Sequence, residues 1–340
     1  MTRRVQTLLS GVVVFCVLAI ILALVRIPYI ALVPGPTVNT LGEYQGKPVI
    51  QVDGKTPNKS SGNLNLTTLG VIDEISIFQA ISGWFSDEAG IVPREVYYPP
   101  TQTREETTEQ NRQVYVQSES AAIQAAMNFL DLPKKVVVVT PPEDSPIAAG
   151  DAIERVNGQA IQSADDLAAL METIEPGASV SIDYLHNGEP ASTEVKTSEP
   201  PDDADRKGSL IGITVNVRGY GGFTVTFSEN DIGGPSAGLM LTLGIIDLVG
   251  PEQLIDDEFI IGTGTISPDG EVGPIGGVRF KIMAAADAGA DIFLTPAANC
   301  AEALVDPPED APILAKVENL QGAVDAIEAY RNGTDFPTCS

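Results

Sequence analysis

A mixed fold, α+β with α/β character, in two folded units behind an apolar N-terminal helix, is what three features of this sequence predict. Residues 8–25 carry no charge over 18 positions. Residues 132–197 are short apolar runs separated by turn dipeptides, the pattern of a small β-rich unit. Beyond residue 210, an apolar helix follows the Gly233-Gly234 turn and runs to about Val249, and a second apolar helix surrounds Lys281. The 340 residues suffice for two domains. The net charge of −26, with no basic stripe to interrupt it, argues against nucleic-acid binding, because phosphates would be repelled.

At about 1.5 Å rise per residue, residues 8–25 just span a hydrocarbon core of roughly 30 Å. Arg3, Arg4 and the amino terminus precede the stretch, and only Arg26 follows closely. That bias predicts a cytoplasmic tail at 1–7, a membrane anchor at 8–25 in contact with lipid, and an extracytoplasmic remainder. A cleaved signal peptide is the competing reading. The stretch Ile20-Ile-Leu-Ala-Leu-Val-Arg26 offers no clear small-x-small cleavage site, which favours an uncleaved anchor. Cys16 follows Phe15, which fits a lipoprotein acceptor poorly.

After the anchor, residues 26–131 are expected to pack on the C-terminal unit. Val33-Pro-Gly-Pro36 is a stiff turn, and Val49-Ile-Gln-Val52 and Leu64-Asn-Leu-Thr-Thr-Leu69 alternate as strands do. Residues 103–117 are polar enough for an exposed helix, and 120–130 are Ala-rich at helical spacing. A buried strand follows at Lys135-Val-Val-Val-Val139. Asp144-Ser-Pro-Ile-Ala-Ala-Gly-Asp151 leads into a second strand that ends in the Asn157-Gly158 turn. Ser163 caps a helix over 164–174, and a hairpin closes on Asn187-Gly188. The order of these motifs resembles a bacterial PDZ domain over 132–197. That resemblance implies binding of an extended peptide as an added strand beside the helix, with Leu167, Leu170 and Met171 offering an apolar wall. The same three residues could equally be the unit's own core. Residues 198–209 read as a Pro-rich charged linker, and 210–340 as the unit that carries the chemistry.

In that last unit, Gly233 and Gly234 allow a tight turn and Pro235 suits the first position of a helix. Ser236 then falls in the first helical turn, where free N–H groups and the positive dipole end could hold an oxyanion. Lys281 stands 45 residues on, with Gly277, Val278, Ala284, Ala285 and Ala288 as helical neighbours. Burial among them would lower its pKa and make it a usable base. Arg279 sits beside Ile282 and Met283, so the helix is apolar nearly all round, and a lysine reaching to solvent is the alternative. The chain has one histidine, His186, at the hairpin tip. A Ser-His-Asp triad and a histidine-based metal site therefore both lack residues, and neither metal nor cofactor is expected.

From about 212 to 320 the sequence resembles the proteolytic domain of Lon-type Ser–Lys peptidases. The elements arrive in family order: Gly-Pro-Ser236-Ala-Gly, Thr263-Gly-Thr-Ile-Ser-Pro-Asp-Gly-Glu-Val-Gly-Pro-Ile-Gly-Gly, Lys281, and Phe293-Leu-Thr-Pro-Ala-Ala-Asn299. The resemblance implies a fold of the ribosomal protein S5 domain 2-like type, Ser236 as nucleophile, Lys281 as base and Thr263 as its orienting partner. Gly233 stands where many Lon enzymes carry an acidic residue. Anchor, PDZ-like unit and proteolytic unit together resemble the membrane-anchored PDZ–Lon proteins of Gram-positive bacteria. No Gly-x-x-x-x-Gly-Lys-[Ser/Thr] phosphate loop occurs, so no nucleotide is expected. The implied activity is ATP-independent cleavage of exported or membrane proteins and peptides. The rival is a non-enzymatic adaptor that binds exported peptides through the PDZ-like unit.

Cys300 and Cys339 both fall in the exported part, where no other cysteine competes. A disulfide between them is expected, and two free thiols are the alternative.

Overall fold

A computed structural model describes residues 3–141, 145–201, 208–228 and 233–340. Asp144, half of the 198–209 linker (residues 202–207), and Asp231 and Ile232 lie outside the described residues. Helix α1 (Arg3–Leu24) buries none of its residues and is long and apolar enough to cross a membrane. It is followed by β1 (Tyr29–Asn39), β2 (Ile50–Asp53), β3 (Asn63–Ile72), α2 (Ile77–Trp84) and β4 (Gly90–Pro93).

Helix α3 (Arg104–Phe129) runs unbroken for 26 residues. The sequence suggests two segments, the first exposed. No Gly or Pro interrupts the run, however, and a capping box between Thr103 and Glu106 starts it. The segment 103–117 is also not fully exposed: Thr107 and Tyr115 are buried.

The PDZ-like unit holds β5 (Lys134–Thr140), β6 (Ala152–Val156), α4 (Ala164–Glu172), β7 (Ser179–His186), β8 (Glu189–Lys196) and β9 (Thr214–Gly219). Asn157 and Asn187 adopt positive φ ahead of Gly158 and Gly188, as tight hairpin turns require. The strands form an antiparallel sheet in the order β8-β7-β6-β5-β9. The domain boundary expected at 210 therefore moves. Residues 214–219 pair with β5 along its length, and Val215 packs against the unit's core. The unit's own core contains Val136, Val138, Ile153, Leu167, Met171 and Ile182.

Then come β10 (Thr224–Phe227), which pairs with β2, α5 (Gly238–Val249), β11 (Phe259–Gly262), α6 (Val278–Ala288), β12 (Ile292–Pro296), β13 (Ile313–Val317) and α7 (Leu320–Arg331). The main sheet runs β13-β12-β11-β3-β1-β4. The strands β13, β12, β11 and β3 are mutually parallel, and β1 and β4 continue the sheet antiparallel. The N-terminal strands are thus part of the main sheet itself, and the PDZ-like unit is an insertion between them and the rest.

Alternation along the central strands sorts two layers. Ile260, Ile292 and Leu294 join the core of α5 and α7, whereas Ile261 and Phe293 join Val278, Ile282 and Ala285 of α6. Helices α5 and α6 therefore lie on opposite faces of the sheet. Every residue of α5 is buried, which explains why its sequence is apolar all round.

Candidate active site

The serine turn is built by glycine and proline. Gly234 takes φ 84°, Pro235 sits at the first helical position, and Pro235–Ala237 form a short 3₁₀ turn before α5. Gly238 lets α5 approach its neighbours closely. A Cβ there would lie 2.8 Å from Ser118 Oγ and 2.9 Å from Ile266. Helix α3 props the turn from outside. Gly234 N–H donates to Asn111 O at 3.1 Å and Ser118 Oγ donates to Pro235 O at 3.2 Å.

Lys281 comes from the other face of the sheet and is 2 % exposed. Its Nζ lies 2.9 Å from Ser236 Oγ, 3.0 Å from Thr263 Oγ1 and 3.0 Å from Thr67 O. The two sequence-predicted residues therefore meet around the end of β11, each carried by a helix on its own side. Burial lowers the Lys281 pKa from 10.5 to about 8.

The hydrogen-bond directions restrict what the amine can do. Thr67 O can only accept. Thr263 Oγ1 donates its own hydrogen to Ser236 O at 3.0 Å, so it must accept from the lysine. A neutral Lys281 spends both N–H groups on those two partners. Its lone pair is then left facing the Ser236 hydroxyl. Gly264 N–H also donates to Ser236 O, at 2.9 Å, and fixes the serine backbone.

Ser236 and Lys281 open into a cleft of about 690 Å³. Leu32, Tyr44, Leu69, Val96 and Tyr97 supply its apolar lining, and Gly233, Gly234 and Pro235 form part of its rim. Of these three turn residues, Pro235 has no N–H and the Gly234 N–H is taken by Asn111.

The predicted peptide wall of the PDZ-like unit is corrected. Leu167 and Met171 are buried within that unit's core, and Leu170 is only partly exposed against it. A helix of nine residues has one apolar stripe, and here the sheet takes it. His186 lies in this unit, with Nδ1 2.8 Å from Oδ1 of the buried Asp151, and does not line the Ser236 cleft. Cys300 and Cys339 are joined by a disulfide. Sequence reasoning missed Thr67, which acts through a carbonyl that no side-chain pattern marks. It also missed Asn111, on a helix read as merely exposed.

Residues 106–197 match the PDZ domain family, and residues 230–321 match the Lon protease (S16) C-terminal proteolytic domain. The chain thus carries both domains. It is 40% identical over 96 residues to the Lon protease of Phenylobacterium zucineum, a match covering 28% of this chain and 12% of the relative. Lon protease 1 of Herpetosiphon aurantiacus is 40% identical over 85 residues, covering 25% and 10%. The chain therefore matches only about a tenth of the length of these curated relatives. Among solved structures, the PDZ domain of the SdrC-like protein from Listeria monocytogenes is similar at 25% identity. That match covers 24% of this chain and 86% of that one, with a TM-score of 0.22.

Proposed function

We propose that this protein is a membrane-anchored serine endopeptidase that works without ATP on exported or membrane-bound chains. The observation that carries the reading is the Lys281 amine, 2.9 Å from Ser236 Oγ inside an apolar site. In the proposed reaction, neutral Lys281 takes the Ser236 proton as Oγ attacks a peptide carbonyl. In this reading the N–H groups at the start of the Ser236 turn hold the developing oxyanion, a contribution of roughly 3 kcal/mol per donor in known hydrolases. The lysine returns its proton to the leaving amine, and water then releases the acyl group from Ser236. Thr263 and Thr67 are positioning residues. They hold the amine so that its lone pair, not a hydrogen, points at the serine.

Two observations support an extracytoplasmic site. Arg3 and Arg4 precede α1, and the Cys300–Cys339 disulfide suits an oxidising compartment. Substrate selection is assigned to the edge of β9. That strand ends the PDZ-like sheet beside α4, and its outer side pairs with no other strand among the described residues. An extended peptide could add there through its backbone.

The test is an acyl-enzyme trap. The full chain in micelles is incubated with a short peptide ester and quenched in acid, and its intact mass is recorded. An adduct on Ser236 in the wild type, absent from Ser236→Ala, is the expected result. No adduct and no cleavage, with peptide binding retained, would favour the adaptor.

A further inference from the structure

Outside α1, the largest group of exposed apolar side chains among the described residues lies on α2 and its C-cap. Phe78, Ile81, Trp84 and Phe85 are 62%, 42%, 64% and 89% exposed. Their spacing of three and four residues places them along one side of the helix. The opposite side, Ala80 and Gly83, is buried on Ala31, Ile75 and Ile91. A soluble surface rarely groups two phenylalanines, an isoleucine and a tryptophan without a partner.

The position of this group identifies the partner. Helix α2 packs against α1 where that helix ends. Ile77 N–H donates to Val25 O at 3.3 Å, Arg26 bridges to Ser76, and Arg26 Nη1 donates to Gln79 Oε1 at 3.2 Å. The apolar face is therefore tied to the point where the anchor leaves its apolar stretch. A shallow apolar hollow of about 230 Å³ beneath Phe78, with Val33, Ile72 and Ile91 in its wall, lies beside the same helix. Aromatic side chains favour the boundary between headgroups and acyl chains. Charge cannot supply the attraction, since a chain of net charge −26 is repelled by anionic lipid. Insertion of apolar side chains must do so.

We propose that α2 lies in the outer membrane interface, with Phe78, Ile81, Trp84 and Phe85 among the upper acyl chains. This inference rests on the reading of α1 as a membrane anchor. Such a helix would fix the tilt of the catalytic unit, because β4, which packs on α2, leads directly to Val96 and Tyr97 in the wall of the Ser236 cleft. The cleft would then face chains that are themselves tethered to the same bilayer.

Trp84 is the only tryptophan in the chain, so the native protein reports on itself. The full chain is reconstituted into phosphatidylcholine–phosphatidylglycerol vesicles. One set carries lipids brominated near the glycerol end of the acyl chain. Flotation after an alkaline carbonate wash reads the anchor, and tryptophan emission reads α2. The expected result is flotation, a blue-shifted emission that loses most of its intensity to the brominated lipid, and shielding from acrylamide. Flotation with water-like emission that the brominated lipid leaves unchanged would overturn the α2 proposal alone. Emission shielded from acrylamide yet untouched by brominated lipid would assign the face to a protein partner or a second copy, and would also overturn it. Loss of the protein from the floated vesicles would remove the anchor, and the proposal with it.

Discussion

Helices α6 and α4 are both short, and each packs one side on a sheet, yet they spend that side differently. Helix α4 buries Leu167 and Met171, which gain from leaving water. Helix α6 buries Lys281, which loses by it. A residue buried against its solvation preference needs a reason, and the geometry supplies one in Ser236, Thr263 and Thr67. Leucine and methionine buried in keeping with theirs need no further reason. The proposed peptide recognition is therefore placed at the backbone of β9 rather than on α4. Substitutions in the two helices should fail in different ways.

The largest effect is expected at the dyad. Ser236→Ala and Lys281→Met should each lower peptide-ester turnover by about 10⁴-fold or more, because residues acting as one unit lose activity together. Lys281→Arg should be equally inactive, since guanidinium does not give up its proton near neutral pH. Leu167→Ala should do the reverse. It should cost about 2–5 kcal/mol in unfolding free energy while leaving ester turnover close to wild type in the folded protein. Substantial activity in Ser236→Ala, or an inactive but stable Leu167→Ala, would break the contrast.

Next in size is pH. The lowered Lys281 pKa predicts that ester turnover rises about tenfold per pH unit below 8 and levels off above it. The stability consequence has a definite sign. Between about 8 and 10.5 the unfolded chain holds a proton at Lys281 that the folded chain has released. Wild-type stability relative to Lys281→Met should therefore improve as pH rises across that window, by about 3 kcal/mol in total. Below 8 both states are protonated and the difference should be flat. A turnover midpoint near that of free lysine, with no relative stability change, would mean the amine is solvated.

The same contrast explains what the sequence revealed. The Gly-Gly-Pro-Ser turn, Lys281 among alanines and the Asn-Gly hairpins are local signatures, whereas Thr263 was marked only by the resemblance to Lon-type domains. Long-range facts were not legible. That β3 pairs with β11 depends on Asn65 meeting Ile261, nearly two hundred residues later. That 214–219 belongs to the PDZ-like sheet depends on a partner across the linker. The Thr67 carbonyl is common to every residue type. Single residues mark chemistry, whereas strand edges and carbonyls mark nothing until the chain is folded.

A tenfold or larger effect is expected from removing the PDZ-like unit. Tyr220 N–H donates to Pro133 O at 2.9 Å, so the two ends of the insertion are adjacent. Replacing residues 134–219 with a short glycine linker should leave the main sheet intact. The loss in kcat/KM should be about tenfold or more for protein substrates and much less for peptide esters. Equal losses on both would mean that the insertion supports the catalytic core rather than choosing its substrate.

The smallest effect on catalysis should come from the disulfide, which matters at an edge instead of a site. Strand β13 ends the main sheet, and an open edge is prone to pairing with other chains. Here the C-terminal tail covers it. Lys316 N–H donates to Pro337 O, Cys339 N–H donates to Leu314 O, and Ala315 bridges to Thr338, all on β13. The Cys300–Cys339 bond holds this cover in place and closes a loop with a sequence separation of 39. On the chain-entropy model a loop of that size contributes roughly 3–4 kcal/mol. Cys339→Ser should lower unfolding free energy by about that amount and raise the tendency to aggregate, while initial ester turnover stays near wild type. A thiol titration of the denatured, unreduced wild type should find Cys16 alone. Two further reactive thiols would mean that the tail is held only by its strand pairing, and Cys339→Ser should then cost little.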